Sequence, residues 1–274
     1  MYNQARIIDT YQLNVNHLSL LTTYYRDRIG LDVLEQGQSQ VILGVDNYPL
    51  LTLKAVAPQT KKRSTGLYHT AFLVPSAKDL GGILLHLLAT HTPLVGGANH
   101  RYSEALYLQD PEGNGIEIYH DQPLEDWDIR DNGEIIGVTE ELNTNLLVEG
   151  ATLLEQLPKG TRIGHMHLQA KSIGDNRHFY QQLLNFDQKQ QISNSALFMA
   201  DGLYHHQLAT NTWAGRNIST HQSGELGLES YTIFKADLVT IKANFLAATW
   251  DFAETENQLI TVDPNGVQVK IKQL

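Results

Sequence analysis

The chain has no cysteine among its 274 residues, and that absence removes disulfides, thiolate zinc sites and cysteine nucleophiles together. Any metal must be held by nitrogen and oxygen. Positive charge is also short, with 20 Lys and Arg against 30 Asp and Glu, for a formal charge of −10. The one basic cluster, Lys61-Lys62-Arg63, is too short for more than a linker, so no nucleic acid is expected as a partner. Long apolar runs are missing as well: none approaches the ~20 residues that span a bilayer, and the opening MYNQARIIDTYQLNV has no apolar signal core. The expectation is a soluble, cytoplasmic protein without a membrane partner.

Histidine, by contrast, is plentiful, with twelve available as ligands. The length suits one large domain or two of the usual ~100–200 residues. An internal repeat at roughly 50–60-residue spacing divides it further. Each copy reads as a strand, an amphipathic helix and further strands separated by Gly or Asn turns. The first has a strand at Ile7–Val15, a helix over His17–Ile29 with Leu18, Leu21, Tyr25 and Ile29 at helical spacing, and Gly30 as its cap. Strands at Asp32–Gln36, Gln40–Val45 and Leu50–Val56 complete it. The second runs from Gly66 through a helix over Ala77–His91 to strands at Ser103–Gln109 and Gly115–Tyr119, joined by Asp110-Pro111-Glu112-Gly113-Asn114. The third opens at Arg162, with a helix over Gly174–Leu184 and strands at Ala196–Ala200 and Tyr204–Thr210. The fourth opens near Gly227, with a helix over Leu238–Ala248 and strands at Gln258–Val262 and Val267–Ile271 around Asp263-Pro264-Asn265-Gly266. Between them residues 122–160 break the pattern. They are acidic, carry Trp127 and a short predicted helix over Leu146–Gln156, and read as a solvated connector wrapping the surface. The predicted organisation is modules one and two in 1–121, the connector in 122–160, and modules three and four in 161–274.

The second copy carries the chemistry most openly. His69 lies in its first strand and Glu117 in its last, where side chains alternate and Glu117 points opposite to Ile116 and Ile118. A carboxylate turned away from an apolar face into a sheet's interior needs a partner, and a histidine with a metal would supply one.

Four copies in this order, with GLYH, DPEGNGIEIY, IGHMHL and a Tyr-His-His strand, resemble the vicinal-oxygen-chelate superfamily of glyoxalases, bleomycin-resistance proteins and dioxygenases. Within it the chain is similar to the extradiol ring-cleaving catechol 2,3-dioxygenases. The resemblance implies an α+β fold in which four βαβββ modules pair into two half-open mixed β-barrels flanked by helices. It also implies a metal held by a facial triad of two histidines and one glutamate. Registering the copies against one another aligns Thr10 with His165, His69 with Ser230, and Glu117 with Gln268. Only modules two and three together supply the triad, as His69, Glu117 and His165, so the active barrel is predicted from those two. Modules one and four then form a barrel without ligands, unlike the sequential pairing usual in two-domain extradiol enzymes.

The same resemblance implies roles beside the metal. His206, second of the His205-His206 pair, matches the acid/base histidine; Tyr107 matches a tyrosine that hydrogen-bonds the substrate; His100 matches a second histidine over it. Strand alternation would turn His205 away from His206 as a structural residue. His167 shares a face with His165 and either touches the site or packs. His17, His86, His91, His178 and His221 read as surface or helix residues.

The implied activity is the opening of a catechol-type ring next to its diol by O2. Triplet dioxygen does not attack a closed-shell catechol directly, and a redox-active ion bound to both lets electron density pass between them. Iron(II) is therefore the first expectation and manganese(II) the second, with a small aromatic diol and O2 as partners and a homodimer compatible. Two other readings stand beside it. Glyoxalase-like lyase or isomerase chemistry normally wants a fourth protein ligand where this chain offers His206. Non-catalytic small-molecule-binding members of the superfamily generally lack the triad that this chain has.

Overall fold

Apolar residues on alternate positions of IDTYQLNV bury one face of the first strand, and every later module repeats that beginning. In the computed structural model, which describes residues 6–274, module one is β1 (Ile8–Val15), α1 (Leu18–Tyr24), β2 (Asp32–Gln36), β3 (Gln40–Val45) and β4 (Tyr48–Ala55). Helix α1 runs on as a wider π turn over Tyr25–Ile29 and stops at Gly30, whose φ of 89° only glycine adopts freely. Module two is β5 (Gly66–Leu73), α2 (Ala77–Ala89), β6 (Gly96–Asn99), β7 (Ser103–Gln109) and β8 (Gly115–Asp121). The connector contributes β9 (Asp128–Ile129), β10 (Ile135–Ile136), β11 (Glu140–Glu141) and α3 (Thr144–Val148). Module three is β12 (Arg162–Gln169), α4 (Ile173–Arg177) with a π turn over His178–Leu183, β13 (Asp187–Ile192), β14 (Ala196–Ala200) and β15 (Leu208–Asn211). Module four is β16 (Gly227–Lys235), α5 (Leu238–Ala247), β17 (Phe252–Thr255), β18 (Gln258–Val262) and β19 (Gln268–Gln273).

The architecture is α+β, with two large mixed sheets. A nine-stranded sheet in the order β11-β6-β7-β8-β5-β12-β15-β14-β13 joins modules two and three across the antiparallel pair β5 and β12. An eight-stranded sheet, β17-β18-β19-β16-β1-β4-β3-β2, joins modules four and one through β16 and β1. Sequence neighbours are tied between the sheets instead. Tyr25 of module one donates its hydroxyl to Asp110 Oδ2 of module two at 3.1 Å, and Tyr180 of module three donates to Asp263 Oδ2 of module four at 2.7 Å. Each aspartate sits in a DP turn and accepts two backbone N–H groups on Oδ1, from Glu112 and Asn114 or from Asn265 and Val267, all at 2.9 Å. One apolar core, including Phe72, Phe179, Leu13 and Ile271, runs between the sheets.

Several details differ from the sequence expectations. Strands Gly96–Asn99, Asp187–Ile192 and Phe252–Thr255 were not foreseen, because GGAN, DQKQQI and FAET are glycine-rich or polar and become strands only by pairing with a neighbour. The strand predicted over Tyr204–Thr210 begins only at Leu208. The connector is not merely a solvated wrap, since Trp127, Ile135, Leu142, Leu147 and Leu157 are buried and Glu140–Glu141 pairs with Gly96–Asn99's strand. Its helix covers Thr144–Val148 rather than Leu146–Gln156, because the following chain lies extended on α2, where the Leu154 N–H donates to the Gly82 carbonyl at 3.1 Å. His221 is buried rather than superficial, and His86, on α2 as expected, is buried too, its Nε2 3.0 Å from the Asp27 carbonyl oxygen. No helix among the described residues is long and apolar enough to cross a membrane.

The Asp263 turn allows a direct test of what ties the sheets together. Asp263→Ala strands the Asn265 and Val267 N–H groups and leaves the Tyr180 hydroxyl only its Tyr231 partner, and should lower unfolding stability in urea by about 3 kcal/mol while leaving metal uptake by the folded fraction intact.

Candidate active site

Three neighbouring strands, β8, β5 and β12, present Glu117, His69 and His165 to one side of the nine-stranded sheet. Glu117 and His165 lie opposite Ala71 from either flank, and His69 stands two residues before Ala71 on the same face. The methyl of Ala71 leaves the space between the larger side chains open. Glu117 Oε2 is 3.0 Å from His69 Nε2 and 3.1 Å from His165 Nε2. One ligand atom from each residue lies within 4.8 Å of the other two, and all three residues are buried.

Two bulges aim these side chains. Gly164 is the extra residue between Ile163 and His165 where they oppose Phe72 and Ala71. A Cβ there would meet the Tyr119 hydroxyl at 1.8 Å, so glycine lets β12 close onto Tyr119 while turning His165 inward. Tyr68 is the extra residue on β5 opposite His167 and Leu168, which sets its ring on the same side as His69.

The electrostatics favour a cation among these groups. Burial alone would raise the Glu117 carboxyl, but the rings of His165 and His69 overcome it and hold the carboxylate well below its usual range. Burial pushes the His165 imidazolium down to about 4, leaving a neutral ring at pH 7. His69 Nε2, although close to Oε2, makes no properly directed hydrogen bond and is a buried polar atom without a partner. Two imidazole nitrogens and an anionic oxygen directed at one point fit a divalent ion of borderline or hard character.

Above this floor lies a cavity of about 560 Å³. His100, Tyr107 and His206 all line it. The hydrogen bonds fix their proton positions. His100 Nδ1 is 2.6 Å from the Val138 carbonyl, which only accepts, so Nε2 receives the Tyr107 hydroxyl at 2.7 Å. Burial, then the charge of Glu117, pushes the Tyr107 hydroxyl well above its ordinary value and keeps it protonated. His205 Nε2 donates to Asp121 Oδ1 at 2.9 Å, which leaves His205 Nδ1 to accept from His206 Nδ1 at 2.8 Å. His206 Nε2 is then the lone-pair nitrogen of its ring. This corrects the expectation that His205 points away from His206: the pair precedes the strand, so alternation does not apply, and Tyr102 stacks on His205 at 4.2 Å.

Comparison with known proteins identifies the family. The Glyoxalase/Bleomycin resistance protein/Dioxygenase superfamily matches residues 7–118. The chain is 35% identical over 265 residues to a catechol-2,3-dioxygenase of Bacillus subtilis (strain 168), covering 92% of each. It belongs to this superfamily. A biphenyl-2,3-diol 1,2-dioxygenase 3 of Rhodococcus globerulus is 28% identical over 114 residues, 40% of this chain and 60% of the relative. Glyoxalase I from Zea mays has the same fold, with a TM-score of 0.61 at 12% identity over 98% of this chain and 92% of that one. So does the cppA protein of Streptococcus pneumoniae TIGR4, with a TM-score of 0.58 at 15% identity over the whole of both chains.

The superfamily motifs did not disclose Asp121, the Val138 carbonyl, or the Gln190 amide that brackets the Gly137 N–H and carbonyl at 3.2 Å each. These are contacts between distant segments with no local spacing to read. The adjacency of two histidines was the only visible trace of the Asp121–His205–His206 chain.

Two outcomes follow from this geometry. Gly164→Ala should weaken metal affinity at least about tenfold, because the methyl pushes His165 and Tyr119 apart; equilibrium metal titration reads it. Burial also holds the His167 and His206 imidazolium forms well below 6.5. Folded rings therefore stay neutral where unfolded ones take up protons, and metal-free protein should be most stable above pH 6.5 and lose stability as pH falls toward 4. The shift of His165 from 6.5 to about 4 alone is worth about 3 kcal/mol in denaturant unfolding across that window.

Proposed function

We propose that the protein is a metal-dependent extradiol dioxygenase that opens a catechol-type ring beside its diol with O2. The observation carrying this reading is the convergence of His69, Glu117 and His165, both histidines with a buried nitrogen that makes no hydrogen bond, under a cavity lined by an oriented lone-pair histidine. The 35% identity to a catechol-2,3-dioxygenase supports it. Iron(II) is the ion proposed first and manganese(II) the alternative, since this donor set suits both. When bound, such an ion supplies the electronic path between a closed-shell diol and triplet dioxygen.

The chain's own residues do the rest. His206 Nε2 takes a proton from a diol hydroxyl entering the cavity, and returns it when the ring has opened. His205 and Asp121 hold the ring in that tautomer and stabilise the imidazolium formed. Tyr107 has one O–H to give, now directed to His100; a substrate oxygen in the cavity would take that bond and so be placed above the metal ligands. Gly137 and Val138 of the connector wall the cavity, held by Gln190 and His100, and limit the entry of water.

Protein loaded with iron under argon and then given catechol and air should consume oxygen and form a coloured ring-fission product; a loaded protein that does neither removes this reading. Glu117→Gln should lose bound iron, whereas His206→Asn should retain it and lose at least about 10²-fold in kcat. Iron content by atomic absorption separates these two effects.

A further inference from the structure

We propose that the substrate of this site is an uncharged catechol bearing an apolar or aromatic substituent, received on a wall formed by Tyr68, His167, Phe198 and Trp213, and that ring acids are refused. The inference rests on the dioxygenase reading and goes further by naming the class of diol.

Charge is the first ground. Among the described residues no lysine or arginine side chain lines the cavity, and Glu117 is the one carboxylate that does. The cations next in sequence to lining residues are engaged elsewhere, Arg101 with Glu140 at 2.9 Å and Lys189 with Asp187 at 3.6 Å. With Glu117 and the diol oxygens taking up the charge of a bound ion, a carboxylate on the substituent would leave water and find no lysine or arginine side chain on the wall to meet it.

Shape and polarity are the second. The wall begins at the metal-side residues and runs outward: His69 to His167 at 5.1 Å, His167 to Trp213 at 5.3 Å, and Tyr68 edge-on to Trp213 at 5.5 Å. Phe198 closes its inner side, 5.6 Å from His167 and 5.1 Å from His206. Tyr68 and Trp213 remain 42% and 51% exposed, an aromatic surface left open beside the cavity rather than buried in a core. It is also rigidly mounted. The fully buried Asn211 donates through Nδ2 to His167 Nε2 at 3.0 Å and accepts the Trp213 backbone N–H on Oδ1 at 3.0 Å. The bulge at Tyr68 places the remaining ring. Aromatic faces held this way add affinity for an apolar group with little ordering cost.

The test uses iron-loaded full-length protein in two stages. Under argon, calorimetric titration compares catechol, 3-phenylcatechol, 4-tert-butylcatechol and 3,4-dihydroxyphenylacetate; in air, oxygen uptake gives kcat/KM for the same four. At least one of the two apolar-substituted diols should bind about tenfold or more tighter than catechol, and the carboxylated one at least about tenfold weaker. Trp213→Ala should shrink the advantage of the substituted diols, and Ile192→Arg, a cation placed at the cavity lining, should shift the ratio about tenfold toward the carboxylate. Equal or better binding of 3,4-dihydroxyphenylacetate by the unaltered protein overturns the inference while leaving ring cleavage standing. The expected order of affinities without oxygen uptake in air overturns the dioxygenase reading and keeps the class of ligand. No binding of any diol overturns both.

Discussion

A carboxylate without water around it governs this structure. Glu117 is all but fully buried, in a sheet whose neighbouring strands bring two neutral-capable imidazoles to the same oxygen. Removing an anion from water costs several kcal/mol that apolar packing does not return. Only a partner of opposite charge, or groups able to share one, makes the position tenable. The strand order β8-β5-β12, the small side chain of Ala71 and the bulge at Gly164 all serve to bring such groups within reach. Those local oddities are costs in a sheet that would otherwise be regular, and they sit where the polar groups converge.

The two sheets share one pattern of strand pairing, but only the one joining modules two and three carries the buried Glu117 carboxylate. In modules one and four the register sets Thr10 and Ser230 in the places of His165 and His69, but Lys270, not the expected Gln268, in that of Glu117: Lys270 stands opposite Thr232 as Glu117 stands opposite Ala71, and Thr10 donates to Thr232 Oγ1 at 3.2 Å. The modules that carry His69, Glu117 and His165, two and three, meet across β5 and β12. The tie between sequence neighbours survives in another form, as the Tyr25–Asp110 and Tyr180–Asp263 bonds that cross from one sheet to the other. Sheet pairing and turn anchoring thus follow different partners, and together they lock all four modules into one body.

What could be read from the sequence was whatever repeats. Glu117 against Ile116 and Ile118, the DP turns and the helix stripe ending at Gly30 each follow a period of two or 3.6, or a turn rule, and each appears in the structure near its expected place. Illegible were the features set by tertiary contact. The strand Asp187–Ile192 has no apolar alternation and exists because it pairs with Ala196–Ala200. The connector looks acidic and solvated in sequence, yet its Val138 carbonyl sets the tautomer of His100, and its Gly137 is clasped by Gln190 from module three. His205 escapes strand alternation because it and His206 precede the strand that begins at Leu208.

The connector's position has a consequence for how such a site can specialise. The floor that carries His69, Glu117 and His165 is built from three strands whose register cannot slip by one residue without turning all three to the opposite face. The cavity walls are drawn instead from parts with looser constraints: a bulged tyrosine, a tryptophan just beyond a strand end, and a stretch of connector held by side-chain amides. Substitutions among these walls alter the space and charge offered to a ligand without disturbing the floor. The division between a rigid donor set and a replaceable enclosure is what allows one fold to keep its chemistry while changing what it admits.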